Sequence, residues 1–285
     1  MTSFVASTVC NRPRRRSTVF IESALNRRFL VYALSITLLI ARPGALTAAP
    51  CSTPAYDQEL GIRHVIDGDT LVVNDGRKLR LIGIDTPELG RDRRPHEKGA
   101  LEARDFLRAL LSQSGAYPVV FGSETHDHHG RLLAHLFLGN GDNVQALLLL
   151  EGYATTLNIP PNISFSDCYD QQQAIARNSS RGLWALAQYQ PLAAQHLGPD
   201  SSGFRIVFGE LSRLGESRTA IWLNFGKHLG IRIQRKDLPY FPELQLKAVP
   251  GTRLEARGRL YRRKGQLRMT LRHGNDLKIL TEDKN

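Results

Sequence analysis

Between residues 65 and 88, apolar and polar side chains alternate on either side of an Asn74-Asp75-Gly76 triplet. Alternation with a period of two, around residues that tolerate positive φ, predicts strands over 71–73 and 79–82 closed by a tight hairpin. The rhythm then changes. Ala100, Ala103, Leu107, Leu110 and Leu111 recur at helical spacing and predict a helix over 97–111. Two further strands are expected over 117–123 and 132–138, joined by a polar His-Asp-His-His-Gly turn. Asn143 is placed to cap a short helix over 144–150 that stops at Gly152. Pro160-Pro161 interrupts the chain, and Ser166 is placed to cap a last helix running to Ala176.

Residues 189–203, rich in Gln, Ala, Pro, Gly and Ser, predict a linker. Strand-like runs follow at 204–208, 220–223, 230–233, 253–260 and 266–271. They predict a second small, mostly β domain of OB-like type over 204–285, behind a first folded domain over 50–188.

Charge changes this picture. The formal net charge of +11 points to a polyanionic partner, but it is unevenly spread. Residues 1–49 carry seven arginines and one glutamate, residues 50–203 a net −5, and residues 204–285 a net +10. The first domain is therefore acidic. Arg257, Arg259, Arg262, Arg263, Lys264 and Arg268 crowd the end of the second, and with Trp222, Phe225 or Tyr261 nearby they are candidate contacts to single-stranded nucleic acid. A solubilising surface, or a face for another polyanion, explains the same charges.

The first 49 residues read as a targeting segment. An Arg-rich start precedes thirteen apolar residues, 29–41, and small residues follow at Thr47, Ala48 and Ala49. The run is too short for the roughly twenty residues a membrane span needs, so an export signal to the periplasm or medium is expected. An uncleaved anchor in the inner membrane is the alternative. Removing this segment leaves Cys51 and Cys168, an even pair that in an oxidising compartment favours one disulfide.

The candidate chemistry lies at the two ends of the first hairpin. It brings Asp69 near Asp85, and two carboxylates with the Thr86 carbonyl make a hard, oxygen-only pocket suited to Ca²⁺, Mg²⁺ or another divalent ion. His126, His128, His129 and His135 invite a zinc reading, against which solvated turn histidines are the commoner case.

Asp67-Gly68-Asp69-Thr70, Arg80, Asp85-Thr86-Pro87-Glu88, Asp127-His128-His129-Gly130-Arg131 and Gly182-Leu183-Trp184 stand in the order of the staphylococcal nuclease family, which the region resembles from about residue 62 to 185. The resemblance implies a five-stranded OB-type barrel with three helices, an α+β fold. It implies Ca²⁺ held by Asp69, Asp85 and Thr86, and a catalytic trio of Arg80, Glu88 and Arg131. DNA, RNA or both are the implied substrates, with 3′-phosphate products. No obligate protein partner is evident in the sequence, and a monomer is expected. It departs from the family's type member at His128 and His129, where that protein has lysine and tyrosine, and at Asn158, where it has a tyrosine. A non-catalytic nucleic-acid-binding protein built on two OB-type barrels is the rival expectation. Retention of every metal and catalytic position disfavours it.

Overall fold

Alternation decides the first sheet. The computed structural model describes residues 51–280 apart from 54, 91, 93, 112–114, 228 and 243–248. The expected export segment, 1–49, lies outside the described residues. Among those described, no helix is long and apolar enough to cross a membrane. Strand β1 (Gln58–Val65) pairs antiparallel with β2 (Thr70–Val73), and β2 with β3 (Lys78–Leu81), setting Thr70 opposite Arg80. Gly76, at φ 89°, supplies the positive φ of the expected turn.

A short strand, β4 (Gly83–Asp85), follows, then α1 (Ala100–Leu110), β5 (Ala116–His126), β6 (Leu132–Leu136), α2 (Val144–Leu150), β7 (Thr155–Leu157) and α3 (Ser166–Asn178). Five strands close into a barrel in the order β1-β2-β3-β6-β5, while β4 pairs with β7 outside it. Leu71, Leu79, Leu81, Val119, Ala134 and Leu136 fill the interior. This is the expected OB-like barrel with helices around it.

Two boundaries differ from expectation for local reasons. α1 starts at Ala100 rather than 97, because Gly99 takes a left-handed φ of 93° and a Cβ there would lie 2.4 Å from Leu183. Ser166 is the first helical residue of α3 rather than its cap, and Phe165 before it offers no side-chain hydrogen bond. Asn143 does cap α2, its Oδ1 accepting from the Ala146 N–H at 3.0 Å.

Asn143 also ties the core together. The Tyr169 hydroxyl donates to Asn143 Oδ1 at 3.1 Å and lies 2.7 Å from His135 Nδ1. The hydroxyl hydrogen is committed to Asn143, so His135 Nδ1–H is the donor to the tyrosine oxygen, and Nε2 has no partner. Burial pushes His135 down to about 3. A histidine whose folded pKa is depressed stabilises the fold fully above its unfolded value of about 6.5, and that stability is lost as pH falls through the window down to about 3. We expect unfolding free energy to drop by about 1.4 kcal/mol per pH unit below 6.5 from this group. Urea titrations from pH 7 to 4 check it: His135→Asn should remove most of that slope, and a slope equal to the parent's would contradict it.

Cys51 and Cys168 are joined, closing a loop with a sequence separation of 117. In the chain-entropy account such a link stabilises by about 4 kcal/mol.

The stretch expected to be a linker is packed. Pro191–Ala193 forms β8, which pairs in parallel with β9 (Gly203–Glu210). Then come β10 (Arg213–Glu216), β11 (Ala220–Phe225), β12 (Leu229–Gln234), β13 (Arg253–Arg263), β14 (Gln266–Leu271) and β15 (Leu277–Ile279). The region after residue 190 is mostly β, as its alternating runs predict. Its sheet is an open path, β10-β11-β12-β14-β13-β9-β8 with β15 on β13, rather than a ring like the first.

Nor is the second sheet tethered loosely. Tyr189, Phe204 and Ile206 share one apolar cluster with Ala176, Leu183 and Trp184 of the first domain. Arg177 forks onto Glu255 at 2.9 and 3.2 Å. Arg257 pairs with Asp170 of α3 and with Asp276, the latter at 3.2 Å. The described residues belong to one compact unit.

Candidate active site

The β2–β3 hairpin and the β4–β7 pair place the carboxylates. Leu81 N–H donates to Asp69 O at 2.8 Å, so the strand carrying Arg80 ends beside Asp69. β4 then carries the chain directly to Asp85, which β7 holds from the other side: Asp85 is in register with Thr155, whose hydroxyl donates to the Asp85 carbonyl at 3.4 Å. Thr155 had no sequence signal, since a three-residue strand has too little alternation to read.

One guanidinium bridges the two acids. Arg80 Nη1 is 3.0 Å from Asp69 Oδ2 and Nη2 is 3.6 Å from Asp85 Oδ1. Asp69 Oδ2 also accepts from the N–H and hydroxyl of Thr86, each at 3.1 Å. That contact needs Gly68, where a Cβ would stand 2.7 Å from the Thr86 hydroxyl and 2.8 Å from Ala103. Asp67 Oδ1 accepts from Asp69 N–H at 3.2 Å. Asp69, Asp85, Thr86 and Arg80 are thus brought together.

Glu88 stands exposed on the following turn, fixed by reciprocal contacts: its N–H donates to Glu97 Oε2, and its carbonyl accepts from Glu97 N–H, both at 3.0 Å. Burial, and then the charges of Asp69, Asp67 and Asp85, raise its carboxyl above the usual range. Burial and Asp69 raise Asp67, and burial raises Asp85 against the pull of Arg259 and Arg80.

Arg131 enters from the β5–β6 turn. Asp127 Oδ1 accepts from the N–H of His129 and of Arg131 at 2.9 Å each, while Oδ2 accepts from Arg131 Nε at 2.7 Å. Burial opposes it, but these bonds hold the Asp127 carboxyl below its ordinary value. Arg131, Arg80 and His128 line one cavity of about 450 Å³. The four histidines do not gather: His126 ends β5, His128 and His129 are on the turn after it, and His135 is buried in the core. Among the described residues, no three His, Cys, Asp or Glu side chains are placed to hold a metal on their own.

The six basic residues proposed for the second domain part ways. Arg257 is consumed by Asp170 and Asp276 and is a structural staple. Arg259 points at the candidate metal pocket, its Nε 3.1 Å from Asp85 Oδ2 and its Nη1 3.7 Å from Glu97 Oε1. Arg262 donates to the carbonyls of Gly265 and Pro199. Arg263 and Lys264 are exposed at the β13–β14 turn, and Arg268 lies 4.9 Å from the Trp222 ring. Strand parity aligned Arg257 with Arg259. Their partners, 87 and 174 positions away in sequence, left no trace in it.

Does this donor set suit a divalent ion? Asp67, Asp69, Asp85 and Glu88 put four carboxylates within mutual influence, three of them raised in pKa, against the guanidiniums of Arg80 and Arg259. A hard cation relieves that excess, and two carboxylates with backbone and water oxygens form a set that Ca²⁺ or Mg²⁺ accepts. The residues fit.

A model of the family described as "Staphylococcal nuclease homologue" matches residues 78–186. The chain is 31% identical over 134 residues to a thermonuclease of Staphylococcus hyicus, covering 46% of this chain and 78% of that one. It is 29% identical over 160 residues to a thermonuclease of Staphylococcus intermedius, covering 54% and 94%. It is also 31% identical over 134 residues to endonuclease YhcR of Bacillus subtilis, covering 43% of this chain and 11% of that protein.

Proposed function

Because the chain belongs to the staphylococcal nuclease family, we propose that it is an exported, divalent-ion-dependent nuclease that hydrolyses phosphodiester bonds of DNA, RNA or both. The observation that carries this reading is the single guanidinium of Arg80 spanning Asp69 and Asp85, beside a cavity it shares with Arg131. The Arg-rich leader and the Cys51–Cys168 bond support export.

Phosphodiester hydrolysis needs a positioned water, a proton acceptor and positive charge on the phosphate oxygens. Asp69, Asp85 and the Thr86 carbonyl would hold the divalent ion, which when bound supplies Lewis-acid polarisation of those oxygens. Glu88, exposed and raised in pKa, accepts a proton from the attacking water. Arg131, oriented through Nε by Asp127, turns its fork to the phosphate in the cavity it shares with Arg80.

Arg80→Lys tests the assignment. Lysine retains charge beside the carboxylates but loses the planar fork, so kcat for a DNA oligonucleotide should fall by about 10²–10³. A kcat equal to the parent's would overturn the role given to Arg80.

A further inference from the structure

We propose that the second sheet completes a continuous groove for single-stranded polynucleotide, running from the catalytic carboxylates along the seam between the domains, with Tyr261 as a base-stacking platform. The inference rests on the nuclease reading and adds the form of substrate and a second binding element to it.

The cavity holding Arg80 and Arg131 shares Leu157, Ile159 and Arg272 with a neighbour of about 270 Å³. That neighbour shares Asp85, Thr155, Phe204 and Arg259 with a third, of about 220 Å³. The three adjoin in a row, and Asp85 stands where the second meets the third. One wall belongs to the catalytic barrel and its β4–β7 pair; the other is built by β13 and β14 at the second cavity and by Tyr189, Phe204, Arg205 and Arg259 at the third.

Strand parity explains that second wall. Leu254, Ala256 and Leu260 are buried in the sheet's own core, so Arg257, Arg259 and Tyr261 share its other face. Arg257 anchors this face, Arg259 reaches Asp85, and Tyr261 stands 37% exposed in the same cavity as Asp85 and Asn158. Its hydroxyl is 3.0 Å from Thr270 Oγ1, which holds the ring in place. Arg268 lies directly opposite Tyr261 on β14 and covers Trp222, extending the cationic and aromatic surface away from the seam. Cations interleaved with aromatic faces are what an unpaired strand needs, because each base has a π-face to stack and each phosphate a charge to place. In a duplex the bases are already stacked on one another, so Tyr261 has nothing to receive. Residues 50–203 are net negative, so the net +10 of residues 204–285 supplies much of the long-range attraction for the polyanion.

The test uses the full chain carrying Glu88→Gln to suppress cleavage. A twelve-nucleotide single strand containing 4-thiothymine is bound, irradiated and mapped, and affinity is read by fluorescence anisotropy. Cross-links within 253–272 are expected. Tyr261→Ala should weaken binding of the single strand about tenfold, while Tyr261→Phe, which keeps the ring, should restore it. A duplex of the same sequence should show no such dependence. The proposal is overturned if Tyr261→Ala binds the single strand like its parent, if the cross-links fall only in the catalytic domain, or if duplex and single strand lose affinity equally. Failure of the nuclease reading shows differently: the chain without Glu88→Gln would cleave neither form, while anisotropy and cross-linking would still report on the groove.

Discussion

Replacing Glu88 with glutamine should lower kcat by about 10²–10⁴, with oligonucleotide affinity held within a few-fold. The substitution preserves shape and removes only the ability to take a proton. The turn is secured by the main-chain N–H and carbonyl of Glu88, both bonded to Glu97, so the backbone does not depend on the lost charge. Stopped-flow cleavage with parallel anisotropy separates the terms. A rate near the parent's would mean that Glu88 serves as a turn residue and that proton transfer lies elsewhere.

Arg257→Ala should cost about 3–5 kcal/mol of stability, measured by urea denaturation. The side chain is only 15% exposed, and its loss strands two acids at the seam. Asp276, pushed up by burial to about 6, would have no cation beside it, and Asp170 already has one oxygen without a partner. Arg259, two residues away on the same face, is 44% exposed. Its ion pairs are screened by solvent, so Arg259→Ala should change stability by about 1 kcal/mol or less. Similar losses in the two variants would contradict the distinction between staple and site.

How far the sequence carried depends on how local each signal was. The Asn74–Gly76 turn and the cap at Asn143 were legible because alternation, positive φ and capping act within a few residues, whereas the closed barrel was legible only through the family resemblance. Asp69 and Asp85 were legible as a pair because a hairpin brings its two ends together. The β4–β7 pairing was not, since three residues carry no periodicity. The packed 189–203 segment read as a linker because its composition is that of loops, whereas β8 is set by pairing with β9 and Tyr189 by the cluster around Trp184. The basic residues of β13 misled for a related reason. Sequence showed a cationic strand, and only tertiary structure shows that Arg257 is spent on Asp170 and Asp276 while Arg259 faces Asp85.

Asp69 and Asp85, served by Glu88, Arg80 and Arg131, are proposed to make a divalent-ion-dependent phosphodiesterase. The most direct measurement is cleavage of single-stranded DNA by the full chain with Ca²⁺ and then with excess chelator, followed by analysis of the product ends. Cleavage that Ca²⁺ supports and chelator abolishes, leaving 3′-phosphate termini, is expected. Cleavage that persists in chelator, or binding without cleavage under any divalent ion, would contradict it.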